Sequence, residues 1–373
     1  MSTSKEIIID KKDFEFVQLE EEIKDQEFEG EAIGFFKDAM IRFRRNKGSI
    51  VAFAIIVLIV FMAIAGPSMN SYTYKEQNVK LTFMPPRIPG LEKIGICDGT
   101  KMMNVQKANL ETRYKGAVED IDGYYEERGV TMAKAKINMY KFKKAEDKYF
   151  WFGTDYLGRD QWTRLWRGSR ISLIIALLAV GINLCIGVTY GSISAYYGGW
   201  VDMIMQRIVE ILVSIPQLVI IILFLMLVGP GILPLAVSMV ITGWIGMNYL
   251  IRGQFYKYKG QEYVLASRTM GAMDRTLIFR HILPNAIGPL ITRATLAIPG
   301  AIFGEAFLAY LGLGLEAPNP SIGVLLSEGQ KELLTYPHLI LFPAIVISVL
   351  MISFNLFGNG LRDAFDPTLR GHE

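Results

Sequence analysis

EYVLASRTMGAMDRTLIFRHILPNAIGP, Glu262 to Pro289, separates two long apolar runs and reads as two short helices hinged on a glycine. A helix through Glu262 to Met270 brings Tyr263, Ala266, Ser267 and Met270 to one side, because these positions are three or four apart. Ala266 and Ser267, small residues in the middle of that face, let another surface approach closely. Gly271 permits a backbone conformation that other residues resist; Asp274 is placed to cap the next short helix and Pro284 to end it. Such an elbow fits a groove in a partner and transmits that partner's displacement to the apolar runs on either side. Spacing alone fits equally well a surface loop that merely joins two spans.

Outward from the elbow, apolar and polar stretches alternate. Of 373 residues, 51% are hydrophobic and 20% charged, a balance that points to membrane spans separated by wet segments. Six apolar stretches, near residues 49–66, 171–191, 208–229, 232–251, 287–312 and 338–358, are long enough to cross a hydrocarbon core of roughly 30 Å as helices. The fold class expected is therefore all-α integral membrane, with six transmembrane helices. Pro216 in the third span and Pro289, Pro299 and Gly300 in the fifth should kink or break them.

Orientation follows from lysine and arginine in short flanks, which favour the cytoplasm. Arg42, Arg44, Arg45 and Lys47 precede the first span, and Arg252, Lys257, Lys259, Arg268, Arg275 and Arg280 surround the elbow. With six spans, both termini and the elbow (residues 252–286) lie inside and residues 67–170 lie outside. Residues 1–31 are acidic and poor in aromatics, the composition of a disordered tail, and too polar for a secretory signal. Residues 32–48, with Ile33, Phe36, Met40 and Phe43 at helical spacing and a basic edge, suit an amphipathic interfacial helix before the first span at 49–66. Residues 171–361 then form a five-helix core and 362–373 a cytoplasmic tail. Within the outer loop, residues 100–148 mix Tyr, Lys and Glu and suit a small helical subdomain, a flap against a partner or a disordered loop.

Several chemistries are disfavoured. A net charge of +3 without a basic stripe gives no case for nucleic acid. Two cysteines, Cys97 and Cys185, make neither a disulfide framework nor a metal cluster, and His281, His338 and His372 share no ligand spacing. GTDYLGR, Gly153 to Arg159, has the glycine spacing of a phosphate loop but lacks its lysine and hydroxyl residue. Thr154, Asp155, Gly158 and Asp160 are read instead as turn and cap residues before an amphipathic helix leading into the second span. No nucleophile turn supports catalysis by this chain. Glu210, Arg293 and Glu305 are the ionisable residues closest to span interiors, and so candidates for a translocation path, although Arg207 suggests that Glu210 stands at a span end. Arg293 and Glu305 are too far apart along one helix to pair.

The elbow resembles the EAA loop of ABC importer permeases, and the chain from about Ile33 to Arg370, outer insertion apart, resembles the C-type permease subunit of the oligopeptide and dipeptide family. FRRNK before the first span, FGTDYLGRDQWTRLWRGSRISL at 152–173, GEAFLAYLGLGLEAPNPSIG at 304–323 and FNLFGNGLRDAFDPTLR at 354–370 carry the likeness. It places Ala266, Ser267 and Gly271 at the loop's Ala, Ala and Gly positions, with Leu283 and Pro284 as the closing pair. The chain departs at Leu265, where Glu is usual, at Ser321-Ile322-Gly323, where Trp is frequent in the middle, and at Asn359, where Asp is common. The resemblance implies a type I importer fold in the cell membrane and two partner ATPases that bind ATP and Mg, with no cofactor in this chain. It further implies a second homologous permease, an extracytoplasmic peptide-binding protein, surrounding lipid and a peptide cargo, although close relatives handle nickel and other small solutes. An ion-coupled transporter would show paired repeats and midplane carboxylates, which the sequence lacks; a membrane receptor with a sensing outer insertion is a third reading.

Overall fold

The computed structural model describes residues 34–365. The acidic tail at 1–31, Ile33 and residues 366–373 lie outside the described residues. Helix α1 (Phe35–Arg45) exposes Phe36 and Met40 and closes an i,i+4 ion pair from Arg42 to Asp38 at 3.0 Å. Asn46 then accepts the Ser49 amide at 3.1 Å, capping α2 (Lys47–Ala65). This helix is apolar all round, as a lipid-embedded span must be, and buries only Ser49, Ala52, Ile59 and Ala63.

Outside the first span the chain builds a small sheet, so the helical option for residues 100–148 gives way. Strand β1 (Thr100–Gln106) leads through a short α3 (Lys107–Glu111) to the hairpin β2 (Val118–Glu127) and β3 (Val130–Asn138), before α4 (Met139–Phe142). All pairs are antiparallel in the order β1-β3-β2, with Thr100 opposite Asn138 and Glu127 opposite Val130. Alternation decides it: Ala133, Ala135 and Ile137 are fully buried against Leu110, Tyr114, Tyr140 and Phe150, while Lys134 and Lys136 point away. Arg128 and Gly129, both at positive φ (52° and 76°), make the two-residue turn that a tight hairpin requires.

Asp160 accepts the Thr163 amide at 2.8 Å and caps α5 (Gln161–Tyr197), 37 residues long. The amphipathic helix expected before the second span is thus the first turns of that span, since no glycine or proline interrupts residues 161–167. The third span is a pair, α6 (Gly199–Ser214) and α7 (Gln217–Val228), bent by 82° at Pro216, whose missing N–H opens the ladder. The fourth, α8 (Ile232–Gly243) and α9 (Ile245–Tyr258), is bent by 41°.

After α10 (Glu262–Thr269) and the single turn α11 (Asp274–Thr276), the chain passes through a π turn (Leu277–Ile282) and a 3-10 turn (Leu283–Ala286) into α12 (Ile287–Leu308). Residues 274–313 qualify as one long apolar helix. The break expected at Pro299 and Gly300 is absent, because Pro299 is buried within α12 and neighbouring helices hold the turn together. Helices α13 (Ile322–Lys331) and α14 (His338–Phe365) complete the chain. Among the described residues four helices are long and apolar enough to cross a membrane, or six if each bent pair is one span. At the centre stands α5: a Cβ on Gly187 or Gly191 would come within 2.6 Å of the Met247 or Ile251 side chain, so only glycine allows α9 to pack so near.

Candidate functional site

Between α9 and α12 the elbow is pinned at several points. Val264 is fully buried and joins Leu277, Ile278, Ile282, Phe255 and Ile251 in one apolar cluster. The turn after α10 closes with two backbone bonds, Gly271 N–H to Arg268 C=O at 3.0 Å and Ala272 N–H to Ser267 C=O at 3.1 Å, with Gly271 at φ 84°. This pattern satisfies the last carbonyls of the helix and needs a residue tolerant of positive φ. Asn285 donates to the Tyr263 hydroxyl at 3.2 Å and to the His281 carbonyl at 2.7 Å, tying the start of the elbow to its end.

Two expectations change. Asp274 does not cap the second helix: Met273 occupies that position, and the Asp274 carboxylate accepts the Tyr196 hydroxyl at 2.5 Å, fastening the elbow to the end of α5. Pro284 does not end a helix either. It stands at the start of a 3-10 turn, where its missing N–H is tolerated, and the helical path continues into α12.

Of the face expected from spacing, Tyr263 is 42% and Met270 80% exposed, Ala266 is exposed, and Ser267 is half-buried with its hydroxyl donating to the Tyr263 carbonyl. Glu262 is exposed beside them. Sequence reasoning missed three further exposed apolar side chains, Leu265, Met273 and Phe279. It also missed Val264, the buried anchor, one turn before half-buried Ser267.

Just above the elbow, Asp202 at the start of α6 accepts from Arg252 Nε at 2.8 Å and Nη2 at 2.6 Å, from the Tyr256 hydroxyl at 2.8 Å and from Ser194. Lys259 donates to the Ala195 carbonyl at 2.8 Å. These bonds lock the end of α9 to the α5–α6 corner, so the elbow hangs from a braced junction. None of these residues forms a motif in the sequence, since α5, α6 and α9 meet only in the fold.

The three ionisable candidates fall in different surroundings. Glu210 is exposed and pairs with Arg207 at 2.6 Å, one turn away on α6. Glu305 is fully buried between α5, α12 and α13: its Oε2 accepts the Ser172 hydroxyl at 2.7 Å, and that same oxygen of Ser172 accepts the Ile322 amide at 3.1 Å. Arg293 is exposed on α12. Among the described residues no hydrogen bond joins any two of them.

At the opposite end of the bundle, the segment read as turns and caps does more. Thr154 takes the Met84 amide at 2.9 Å and donates to the Leu81 carbonyl at 2.5 Å. Asp155 accepts the Leu157 and Arg159 amides, both at 2.9 Å, Arg159 Nε at 2.6 Å, and Arg164. Glu328 of α13 meets Arg164 at 2.7 Å and Arg159 at 3.4 Å. Both guanidinium side chains are 1% exposed, so this is a buried network of two arginines and two acids. Burial chiefly pushes the neighbouring Asp160 carboxyl up, against hydrogen bonds from Thr163 and Asn70.

Comparison with known proteins fits this architecture. Residues 187–371 match the family of binding-protein-dependent transport system inner membrane components, and residues 34–86 match the N-terminal transmembrane domain of oligopeptide transport permease C. The oligopeptide transport system permease protein OppC of Bacillus subtilis (strain 168) is 40% identical over 91% of this chain and 92% of its own length. The chain belongs to this permease family. The dipeptide permease DppC of Lactococcus lactis subsp. cremoris (strain MG1363) is 37% identical over 95% of this chain and 97% of its own, and DppC of Bacillus subtilis (strain 168) is 47% identical over 59% and 69%. The permease is a multi-pass inner membrane component and the non-catalytic subunit of an ABC transport complex, whose other parts are an ATPase, permease and binding protein.

Proposed function

We propose that this permease carries oligopeptides or dipeptides inward, and that the segment from Glu262 to Asn285 receives the stroke of the ATPases. The peptide class rests on the relatives' activities. The coupling role rests on one observation: α10 is anchored on its inner side by buried Val264, while Tyr263, Leu265, Met270 and Met273, on α10 and the turn after it, are exposed. An exposed apolar patch on a braced elbow is a docking surface. Ala266, Ser267 and Gly271 let the partner's groove close on it, and Asp274 and Pro284 hold the far arm in line with α12.

On this reading two cytoplasmic ATPases, holding ATP and Mg, close on nucleotide and draw together the elbows of this chain and of a second, homologous permease. The two bundles then rock to open outward toward the peptide-binding protein, and hydrolysis resets them. Both termini and the elbow lie on the cytoplasmic side. Arg293, the exposed ionisable residue of α12, faces the path between the permeases, whereas Glu210 and Glu305 serve structure through the partners described above.

The test places single cysteines at Ala266 and Ser267 in a chain lacking Cys97 and Cys185, and cross-links them in the assembled importer. Cross-links to an ATPase whose yield changes when nucleotide is present during the cross-linking reaction are expected. Uptake that follows a proton or sodium gradient and survives ATP depletion would refute the proposal and favour ion coupling.

A further inference from the structure

Arg293 is the one ionisable side chain among the three candidates that the fold leaves open. It stands six residues into α12, about 9 Å along the helix axis from Ile287 at 1.5 Å per residue. Among the described residues no carboxylate lies within ion-pair distance of it. A guanidinium at that depth costs on the order of 3 kcal/mol to place in hydrocarbon, and such residues face water-filled cavities rather than lipid. Steps of seven, three and four along α12 lead from Arg293 to Gly300, Phe303 and Phe307, all exposed, forming one stripe opposite the buried side that holds Thr295 and Glu305.

Across from the stripe lies Gly246, in the first turn after the bend between α8 and α9. A Cβ built there would stand 3.0 Å from Arg293 Nη2, so the missing side chain is what gives the guanidinium its room. Where α9 faces α12, an unpaired, forked set of N–H donors therefore stands beside a residue with no side chain. That geometry suits a planar oxyanion, which takes two parallel bonds from arginine.

We propose that Arg293 is a specificity-determining residue of the translocation path, binding the carboxylate of the passing substrate as it nears the cytoplasmic side. The proposal rests on the peptide-path reading above. Every unmodified peptide carries such a group, ionised at neutral pH, at its C-terminus. A single fixed guanidinium recognises that group without reading the side chains that vary between cargoes.

The test uses the whole importer in proteoliposomes with two peptides of equal affinity for the binding protein, one with a free C-terminal carboxylate and one amidated. Arg293→Gln should lower uptake of the free-acid peptide roughly tenfold, the worth of one charge-assisted hydrogen bond, and bring the ratio of the two peptides to about one. Arg293→Lys should keep part of the discrimination. Gly246→Val, which displaces the guanidinium, should move the ratio the same way. Equal loss of both peptides would overturn the proposal, because it marks Arg293 as a counter-ion for an acid in the second permease; an unchanged ratio would overturn it as well. Arg293→Cys and Phe303→Cys, in a chain without Cys97 and Cys185, separate this from the underlying reading. Labelling by a water-soluble thiol reagent upholds the path even where the ratio fails to move, whereas protection from the reagent overturns the path itself.

Discussion

Replacing Asp155 by asparagine tests whether the outer network holds the bundle together. Asp155 is 3% exposed and Arg159 and Arg164 are each 1% exposed, so the cluster is out of water, with Glu328 at 23% as its only wet member. As built, two positive charges face two negative ones. The variant leaves one surplus positive charge buried and weakens the acceptance of two guanidinium bonds. Breaking a buried pair by removing one partner costs about 3–5 kcal/mol, and Glu328 keeps the loss near the lower bound. For a helical domain of this size that is a fall of roughly 6 °C in unfolding midpoint. Thermal unfolding of the detergent-purified chain, followed by size-exclusion chromatography, measures it. Asp122→Asn is the control: it breaks the Lys134 pair, whose side chains are 53% and 57% exposed, and should leave the midpoint unmoved. Asp155→Ala combined with Arg164→Met should recover part of the loss, since an apolar replacement of both partners removes the unpaired charge. If Asp155→Asn unfolds within a degree of the control, the network carries no stability and the reasoning fails.

Val264→Ala removes the equivalent of two methylenes from a fully buried site, about 1.6 kcal/mol before any cavity cost; peptide uptake per ATP hydrolysed should fall as the elbow loosens. Gly271→Val forces a β-branched residue to φ 84° and should lower the same ratio further. Glu305→Gln keeps an acceptor for the Ser172 hydroxyl whereas Glu305→Ala does not, so the alanine variant alone should lower the thermal midpoint of the chain. In the outer sheet, burial raises the Asp98 carboxyl, but Lys136 at 2.7 Å and two bonds from Thr100 outweigh it, and its pKa lies below the ordinary 3.8. A depressed acid contributes stability above its unfolded pKa and loses it as pH falls through the folded one. Protection of the β1–β3 amides, measured by hydrogen exchange, should therefore drop below about pH 4, and Asp98→Asn should flatten that limb.

Lipid-facing helices were legible because every residue of Lys47–Ala65 must satisfy one solvent, and the bend at Pro216 followed from a missing donor. Pro299 carries the same local signal, yet α12 runs through it: whether a proline breaks a span depends on what packs around it, and that information lies in α5 and α14. The elbow's glycine turn was readable, while the role of Asp274 was not. Its partner Tyr196 lies 78 residues away, and a carboxylate next to a helix start looks the same whether it caps the helix or reaches a hydroxyl elsewhere. The outer sheet hid for a different reason. Two of its four buried strand positions are alanine, which carries little strand preference, and β2 is irregular, with register shifts between Val118 and Asp120 and between Ile121 and Gly123.

These long-range bonds fix which parts of the permease move together. The Asp274 carboxylate holds the elbow-side end of α5 through Tyr196, and the helical path from Asp274 continues to Leu308 at the far side. There Glu305 binds Ser172 of α5, Ser172 receives the first amide of α13, and a Cβ on Gly323 would come within 2.5 Å of the Ala306 backbone, so α13 is pressed onto α12. Glu328 on α13 then returns to Arg159 and Arg164 at the start of α5. Helices α5, α12 and α13 are thus tied together by the Tyr196–Asp274 bond near the elbow and, at the far end, by the buried Glu305–Ser172 contact and the Arg159–Arg164–Glu328 network. Such ties favour movement of the three helices as a body. What yields instead is the chain outside it, at the 82° break between α6 and α7 and the 41° bend between α8 and α9, where backbone bonds are already interrupted. Gly246, in the first turn beyond that second bend, stands against the Arg293 guanidinium of α12.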